Sequence, residues 1–328
     1  MSFKITLDPS GREFETQHTE SILEAGLRSG VNLAYSCQNG SCGDCRARII
    51  SGDVKESKFH DYLITEAEKI QNTVLLCCSQ ALSDCVVDTI EATTATDIAL
   101  QKLNVKVYKI ETLLDKYMVL HLRTPRTKTL RFLAGQCIKM KLPDLPEYFA
   151  SVASCPCNGM FLQIHLSKND SHAFVQHVFK NLKNGDKISI EGPYGNMLLE
   201  EKSNRPIVMV AVDTGFAPLK SLIEHAIALD LTQAIHLYWI TTNNNEHYLE
   251  NYCRSWLFSL ETFFYFPLNW DENNQQHIID EIIARSPIET EIDLYLSGDA
   301  NITKPISKTF LEKGTPLDRI FWNTLPKN

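Results

Sequence analysis

Apolar and polar residues alternate with period two in Lys4-Ile-Thr-Leu7 and again in Glu13-Phe-Glu15. Such alternation marks a strand with one buried face. Pro9-Ser-Gly11 supplies turn residues between the two runs, so the pattern predicts a hairpin. Ser21-Ile-Leu-Glu24 has the spacing of a capping box, in which a hydroxyl and a carboxylate each satisfy a backbone N–H at a helix start. The helix it opens is expected to stop at Gly30. Further strands are expected at Arg46 to Ile50, Thr73 to Cys77 and Cys85 to Ile90. This grouping ends near Ala92, and Thr93-Thr-Ala-Thr-Asp97 reads as a short linker.

Strand signals without helical periodicity continue at Val105 to Ile110, Tyr117 to Leu122 and Cys137 to Leu142. Phe161 to Leu166 and Asp186 to Glu191 extend the series, with one helical stretch between them, Ala173 to Leu182. Mostly β structure with one inserted helix predicts a six-stranded antiparallel barrel. From Arg205 the pattern changes. Ile207-Val-Met-Val-Ala211 is a buried strand, followed by a Thr-Gly turn and a helix from Pro218 to Leu229. Strands are then expected at His236 to Ile240, Asp293 to Leu296 and Arg319 to Trp322. Strands alternating with helices predict a parallel sheet. The expected fold class is multidomain, α+β then α/β, with domains at residues 1–93, 100–200 and 201–328.

The chain has 328 residues, enough for two or three compact units. Hydrophobic residues at 44% and charged residues at 22% are globular values and exclude wholesale disorder. No apolar run approaches the ~18 residues of a membrane span, so none is expected. The first residues lack the apolar core of a signal peptide, and Asp8 and Glu13 argue against a transit peptide, which points to the cytoplasm. A net charge of −8 argues against a nucleic-acid partner. Residues 1–93 hold fourteen Asp and Glu against eight Lys and Arg, a net −6 of that total. That excess reads either as a solvated face or as a docking surface for a basic partner.

Six of the ten cysteines also lie in this stretch, and three of them form Cys37-Gln-Asn-Gly-Ser-Cys42-Gly-Asp-Cys45. C-x4-C-x2-C with a fourth cysteine some thirty residues on is the spacing of a plant-type [2Fe–2S] ligand set. Two irons bridged by two sulfides need four thiolates. One tight loop can wrap the cluster with three, and the fourth arrives from elsewhere, as Cys77 or Cys78. Gly40 and Gly43 allow positive φ and turn backbone N–H groups towards the sulfurs. Zinc is the competing occupant, but structural zinc sites usually pair two C-x2-C knuckles and here there is one. In a reducing compartment Cys78, Cys85, Cys137, Cys155, Cys157 and Cys253 are expected to be plain core or surface thiols.

This stretch resembles plant-type ferredoxin modules, whose last ligand closes a strand shortly before a Ser-Asp pair. Thr73 to Cys77 running into Cys78-Ser-Gln-Ala-Leu-Ser-Asp84 puts Cys77 in that register. The resemblance implies a β-grasp fold here. Further on stand Gly135-Gln136 leading to Pro143-Asp144, Glu191-Gly-Pro-Tyr-Gly195, Arg205-Pro206 and Thr214-Gly-Phe-Ala-Pro218. With these, essentially the whole chain resembles the three-domain oxygenase-reductase family. Its members are NAD(P)H-dependent, FAD-containing iron–sulfur reductases, such as the reductase components of phenol hydroxylase and methane monooxygenase, and the 6-deoxyglucoseen reductases. In that family hydride passes from nicotinamide to FAD, and single electrons then pass through the [2Fe–2S] centre to an oxygenase or similar acceptor. The resemblance therefore implies an FAD-binding-type barrel, an NAD(P)-binding-type α/β domain and a protein electron acceptor.

The family's nucleotide contacts are mostly altered. Its flavin motif Arg-x-Tyr-Ser aligns onto Tyr148-Phe149-Ala150-Ser151, where Ser151 alone is kept. A phenol at 148 lacks the charge with which Arg pairs phosphate, although Tyr148 or Phe149 rotated over the ring is an alternative. The Gly-x-x-Ser turn at a helix start corresponds to His172-Ala-Phe-Val175, with His172 read as a surface residue. On the nicotinamide side Ala-x-Gly-Thr-Gly becomes Ala211-Val-Asp213-Thr214-Gly215, which sets a carboxylate where a pyrophosphate approaches. Gly-Ala-Arg becomes Ile240-Thr-Thr242, and Cys-Gly-Pro-Pro becomes Ser297-Gly-Asp299-Ala300. The C-terminal Asn323-Thr-Leu325 lacks the usual aromatic.

No residue is singled out as catalytic. The cofactor contacts that the resemblance retains are Tyr148, Phe149, Ser151, Thr214 and Gly215. The [2Fe–2S] cluster is expected; the altered motifs leave room for FAD and count more heavily against NAD(P)H. Three roles follow: a cluster-bearing relay charged by an external reductase, a complete NAD(P)H:FAD:[2Fe–2S] oxidoreductase, or a redox sensor. A potential of about −400 mV for such clusters suits a donor better than a sensor, and the altered contacts favour the relay.

Overall fold

The computed structural model describes residues 2–60, 62, 64–242, 246–271, 273–287 and 291–325, and three main sheets follow one another along the chain. The first is mixed, in the order Glu13–Gln17, Ser2–Asp8, Cys85–Asp88, Arg46–Ser51, Thr73–Leu75. The hairpin forms in a register that opposes Ile5 to Phe14, while Ser2–Asp8 runs parallel to Cys85–Asp88. Both halves of the capping box are made. Ser21 Oγ accepts from Glu24 N at 3.2 Å, and the Glu24 carboxylate accepts from Ser21 N at 2.8 Å. The helix it opens, Ile22–Arg28, buries Ile22, Leu23 and Leu27 beside Ile5, Leu7 and Phe14.

The strand expected to reach Cys77 stops at Leu75. Leu76 N donates to Cys45 O at 3.0 Å and Ser79 Oγ to Leu75 O at 2.9 Å, which turns Leu76–Cys78 into a short 3-10 helix. That turn buries both Cys77 and Cys78.

The second sheet is antiparallel, with six strands in the order Tyr148–Ser151, Cys137–Lys141, Lys187–Tyr194, Gln101–Leu113, Tyr117–Arg123, Phe161–Ser167. A bridge between Val152 and Ile164 and a bond from Ala153 N to Gln163 O at 2.8 Å bring its two edges together, so the sheet closes into a barrel. Alternate residues such as Val105, Leu120, Ile138, Ile164 and Ile190 fill the interior, and helix Ala173–Asn181 adds Phe174 and Val178.

The third sheet is wholly parallel, in the order Phe263–Trp270, Ile235–Thr242, Ile207–Val212, Asp293–Ser297, Ile320–Trp322. Ile207–Val212 is central, and the later strands build outwards on either side of it. The chain reverses direction of growth between Ile207–Val212 and Asp293–Ser297, the kind of crevice where open α/β sheets hold ligands. The loops cross there closely. A Cβ on Gly215 would stand 2.3 Å from Ser297 O, and one on Gly298 2.5 Å from Val212 O.

The expectation of plain thiols fails at Cys155 and Cys157, which are joined as a disulfide. Pro156 starts a short 3-10 turn between them, and this local reversal brings the sulfurs together. The other eight cysteines are free. Among the described residues no helix is long and apolar enough to cross a membrane.

Candidate functional site

Two sites are built on this frame. The first is the loop from Cys37 to Cys45, where Gly40 and Gly43 have φ of 80° and 83°. A side chain at Gly40 would meet His60 Cβ at 2.3 Å and Cys78 Sγ at 2.8 Å, and one at Gly43 would enter the Tyr62 ring. These two glycines let the loop lie flat beneath the segment that carries His60 and Tyr62. Tyr62 N donates to Gly40 O at 3.1 Å, which holds the segment in place.

The backbone of the loop points its N–H groups at sulfur. Cys37 Sγ accepts from Ser41 N at 3.3 Å and Cys42 N at 3.4 Å, and Cys42 Sγ accepts from Asp44 N at 3.4 Å. Cys77 reaches the loop from the 3-10 turn. Its sulfur pairs with the Cys45 thiol, an interaction that lowers the Cys77 thiol from its ordinary value against the effect of burial. Hydrogen bonds from Cys78 and the Gly40 backbone lower it further. Cys78 Sγ is 3.6 Å from Cys77 Sγ, and burial followed by the nearby Cys77 pushes its thiol the other way. The four thiols expected from the sequence, Cys37, Cys42, Cys45 and Cys77, are thus brought together. Donors aimed at their sulfurs are what a thiolate-bound cluster requires as it gains an electron. This set fits a [2Fe–2S] cluster, which would supply storage and release of one electron at a time.

The loop is fastened to the barrel by the two residues before it. Tyr35 OH accepts from Gly159 N at 3.3 Å, and Ser36 O accepts from both the amide and the hydroxyl of Thr129. Arg12 makes a second tie, to Glu91 at 3.0 Å and to Glu201 beyond the barrel.

The second site is a cleft of about 870 Å³ between barrel and parallel sheet. Tyr148, Phe149, Ser151, Thr214 and Gly215 all line it. Their partners are internal. Tyr148 stacks on Phe174 with centroids 5.5 Å apart and donates its hydroxyl to Asp170 Oδ2 at 2.7 Å, so it is held rather than free to rotate. Asp170 Oδ1 takes His172 N at 2.9 Å, and His172 Nδ1 takes Phe174 N at 3.3 Å. His172 is therefore the cap of helix Ala173–Asn181, correcting its reading as a plain surface residue. Of the N–H groups with which a helix start binds phosphate, Phe174 N is met here by His172, whose own N–H is met by Asp170.

Across the cleft two more carboxylates are held by bonds within the chain. Asp213, at φ 48°, accepts Thr242 N at 3.1 Å and Thr242 Oγ1 at 2.6 Å. Asp299 accepts Asn301 N at 2.8 Å and caps helix Ala300–Glu312. Two further lining residues bear on the cleft. Lys304 is the one Lys or Arg among the lining residues described, on a helix whose internal Pro305 hides it from periodicity. Asn323 Nδ2 donates to Ser151 Oγ at 3.0 Å and to Ser297 Oγ at 3.1 Å, joining barrel to sheet. Three carboxylates, Asp170, Asp213 and Asp299, against the ammonium of Lys304 leave the described lining of the cleft net negative.

A thiolate loop on a β-grasp sheet, docked against a barrel that meets a parallel sheet at its switch point, is the build of an iron–sulfur reductase. Comparison with known proteins makes the class specific. Residues 5–82 match the 2Fe-2S iron-sulfur cluster binding domain. The CDP-6-deoxy-L-threo-D-glycero-4-hexulose-3-dehydrase reductase of Yersinia pestis is 34% identical over 239 residues, 73% of this chain and 71% of that protein. The reductase component of propane 2-monooxygenase from Rhodococcus jostii (strain RHA1) aligns with 98% of this chain and 90% of its own length at 24% identity. An Amycolatopsis cytochrome P450 reductase superposes with a TM-score of 0.61 over 98% of both chains at 21% identity, a likeness of fold. The chain belongs to this family of [2Fe–2S] ferredoxin reductases, electron-transfer oxidoreductases that work through protein partners.

Proposed function

We propose that this chain is the cluster-bearing electron-transfer component of a redox system that draws electrons from a separate reductase. In this reading Cys37, Cys42, Cys45 and Cys77 hold a [2Fe–2S] cluster in a ferredoxin domain of residues 1–93. The barrel of residues 100–200 and the α/β domain of residues 201–328 serve as its platform. Single electrons leave for a protein acceptor of oxygenase or reductase type, steered by the negative charge of the first domain. Four cluster thiolates favour the cytoplasm, where thiols stay reduced.

The observation that carries the external donor is Asp213. Its carboxylate spans the turn where a nicotinamide dinucleotide would lay its pyrophosphate, and it is held there by two bonds from Thr242. Like charges at that range cost several kcal/mol.

The test uses anaerobically purified protein, assayed for iron, sulfide and acid-released flavin before and after addition of FAD, then titrated with NADH and NADPH. About two irons per chain with no retained flavin, and a visible spectrum that dithionite bleaches but nicotinamides do not, is the expected result. Near-stoichiometric FAD with rapid bleaching by one nicotinamide would overturn it, and would make the chain a complete NAD(P)H:FAD:[2Fe–2S] oxidoreductase.

A further inference from the structure

The segment Ala153–Cys155 lies along one face of helix Phe216–Ala228, read residue by residue. Lys220 Nζ donates to Ala153 O at 3.2 Å, Ser221 Oγ to Ser154 O at 2.7 Å, and Cys155 N to Glu224 Oε2 at 3.0 Å. Lys220, almost wholly buried, is neutralised by Glu224 Oε1 at 2.5 Å, and Tyr252 donates to the same oxygen at 2.6 Å. The next helical position is His225. A ring nitrogen of His225 and the sulfurs of Cys155 and Cys157 all lie within 4.8 Å of one another.

His225 is 2% exposed, and its two nitrogens differ. Nε2 faces Glu201 Oε1 at 3.2 Å, whereas Nδ1 has no partner among the described residues. Glu201 is also paired with the guanidinium of Arg12. A carboxylate on Nε2 fixes the proton there and leaves the Nδ1 lone pair bare. That is the carboxylate–histidine arrangement that orients metal-bound imidazoles. A bare buried nitrogen otherwise costs free energy. The third element is the sulfur pair. A disulfide closing so short a loop gains little from chain entropy, and two thiolates with one imidazole are a recognised zinc donor set.

We propose that Cys155, Cys157 and His225, with the disulfide reduced, form a zinc site that joins the barrel to the first helix of the parallel sheet. Glu201 positions the imidazole, and a water molecule is left to fill the fourth place. In the reducing step a phosphine cleaves the S–S bond and takes up the oxygen of one water, whose two protons pass to the thiols. Zinc then displaces both protons on binding. The site is separate from the four cluster cysteines and does not depend on the source of electrons.

The test uses the full chain with its cluster intact, reduced with a phosphine and given one equivalent of Zn²⁺, then desalted. Zinc and iron are measured together with the cluster's visible absorption. One retained zinc with iron unchanged is expected for the native chain. Cys157→Ser and His225→Gln should retain none while keeping the cluster spectrum, and Glu201→Gln should bind about 10- to 100-fold more weakly. The proposal falls if the reduced native chain retains no zinc, if the two ligand variants retain as much as the native chain, or if the retained zinc appears only as iron is lost.

Discussion

The carbonyl oxygen of Ser36 accepts two hydrogen bonds from Thr129, from the amide and from the hydroxyl, each at 2.9 Å. Since the next residue is Cys37, the barrel grips the chain at the point where the thiolate loop begins. Thr129→Val keeps the shape and the amide bond but deletes the hydroxyl bond, a loss of about 1 kcal/mol. Hydrogen exchange of the amides from Tyr35 to Cys45 should speed up in this variant while exchange in the parallel sheet stays as it was. Unchanged exchange in the loop would mean that the barrel contact does not hold it.

Cys77 and Cys78 are adjacent and equally buried, yet only Cys77 pairs with Cys45. Cys77→Ser should abolish the visible absorption of the cluster, and Cys78→Ser should leave it nearly intact. The reverse pattern would move the fourth ligand by one residue.

At φ 48° the Asp213 backbone already suits glycine, so Asp213→Gly removes the carboxylate without a steric penalty. Nicotinamide affinity, read by fluorescence titration, should rise at least about tenfold, equivalent to ~1.4 kcal/mol. No gain would show that the seat has been lost through more than this one charge.

Residues 1–93 carry a net −6, and Asn39, Ser41 and Asp44 at the tip of the thiolate loop are exposed. Docking of a basic partner there should be screened by salt over a Debye length of about 8–10 Å. The bimolecular rate of electron exchange should therefore fall steeply between low and physiological ionic strength. A flat salt profile in stopped flow would remove electrostatic steering from the account.

His165 is buried, with Nδ1 on Tyr248 OH at 2.8 Å. Burial chiefly, then Lys220 and His121, pushes it well below the ordinary histidine range. The folded state thus keeps it neutral where the unfolded chain would protonate it. The sign follows: stability from this group is complete above the unfolded value near 6.5 and is lost as pH falls below it. The slope is about 1.4 kcal/mol per pH unit until the folded value is reached. Urea midpoints at pH 7.5 and 5.5 should differ in that sense, and by less in His165→Asn.

What was legible in the sequence was local. The capping box at Ser21 and Glu24, the hairpin and the C-x4-C-x2-C loop are each written in neighbouring residues, and all three appear as read. Strand Tyr148–Ser151 was missed because four residues are too few to show a period. Strand Phe263–Trp270 was missed because Pro267 interrupts it at an edge of the sheet, where proline is tolerated. Asn323 was read only as lacking an aromatic, and His225 was not singled out, for another reason. The bond of Asn323 to Ser151 spans 172 residues, and His225 meets Cys155 and Cys157 only where a helix of the third unit packs on the barrel, so the assembled fold alone joins them.

Asp170 and His172 also change how the molecule relates to its surroundings. A protein that leaves helix-start donors for a dissociable anion is stabilised by that anion in proportion to the logarithm of its concentration. Here Phe174 N already has a partner within the chain in His172, itself fixed by Asp170. Under the proposed relay function the two faces of the cleft should therefore hold together equally well whether nucleotides are scarce or abundant.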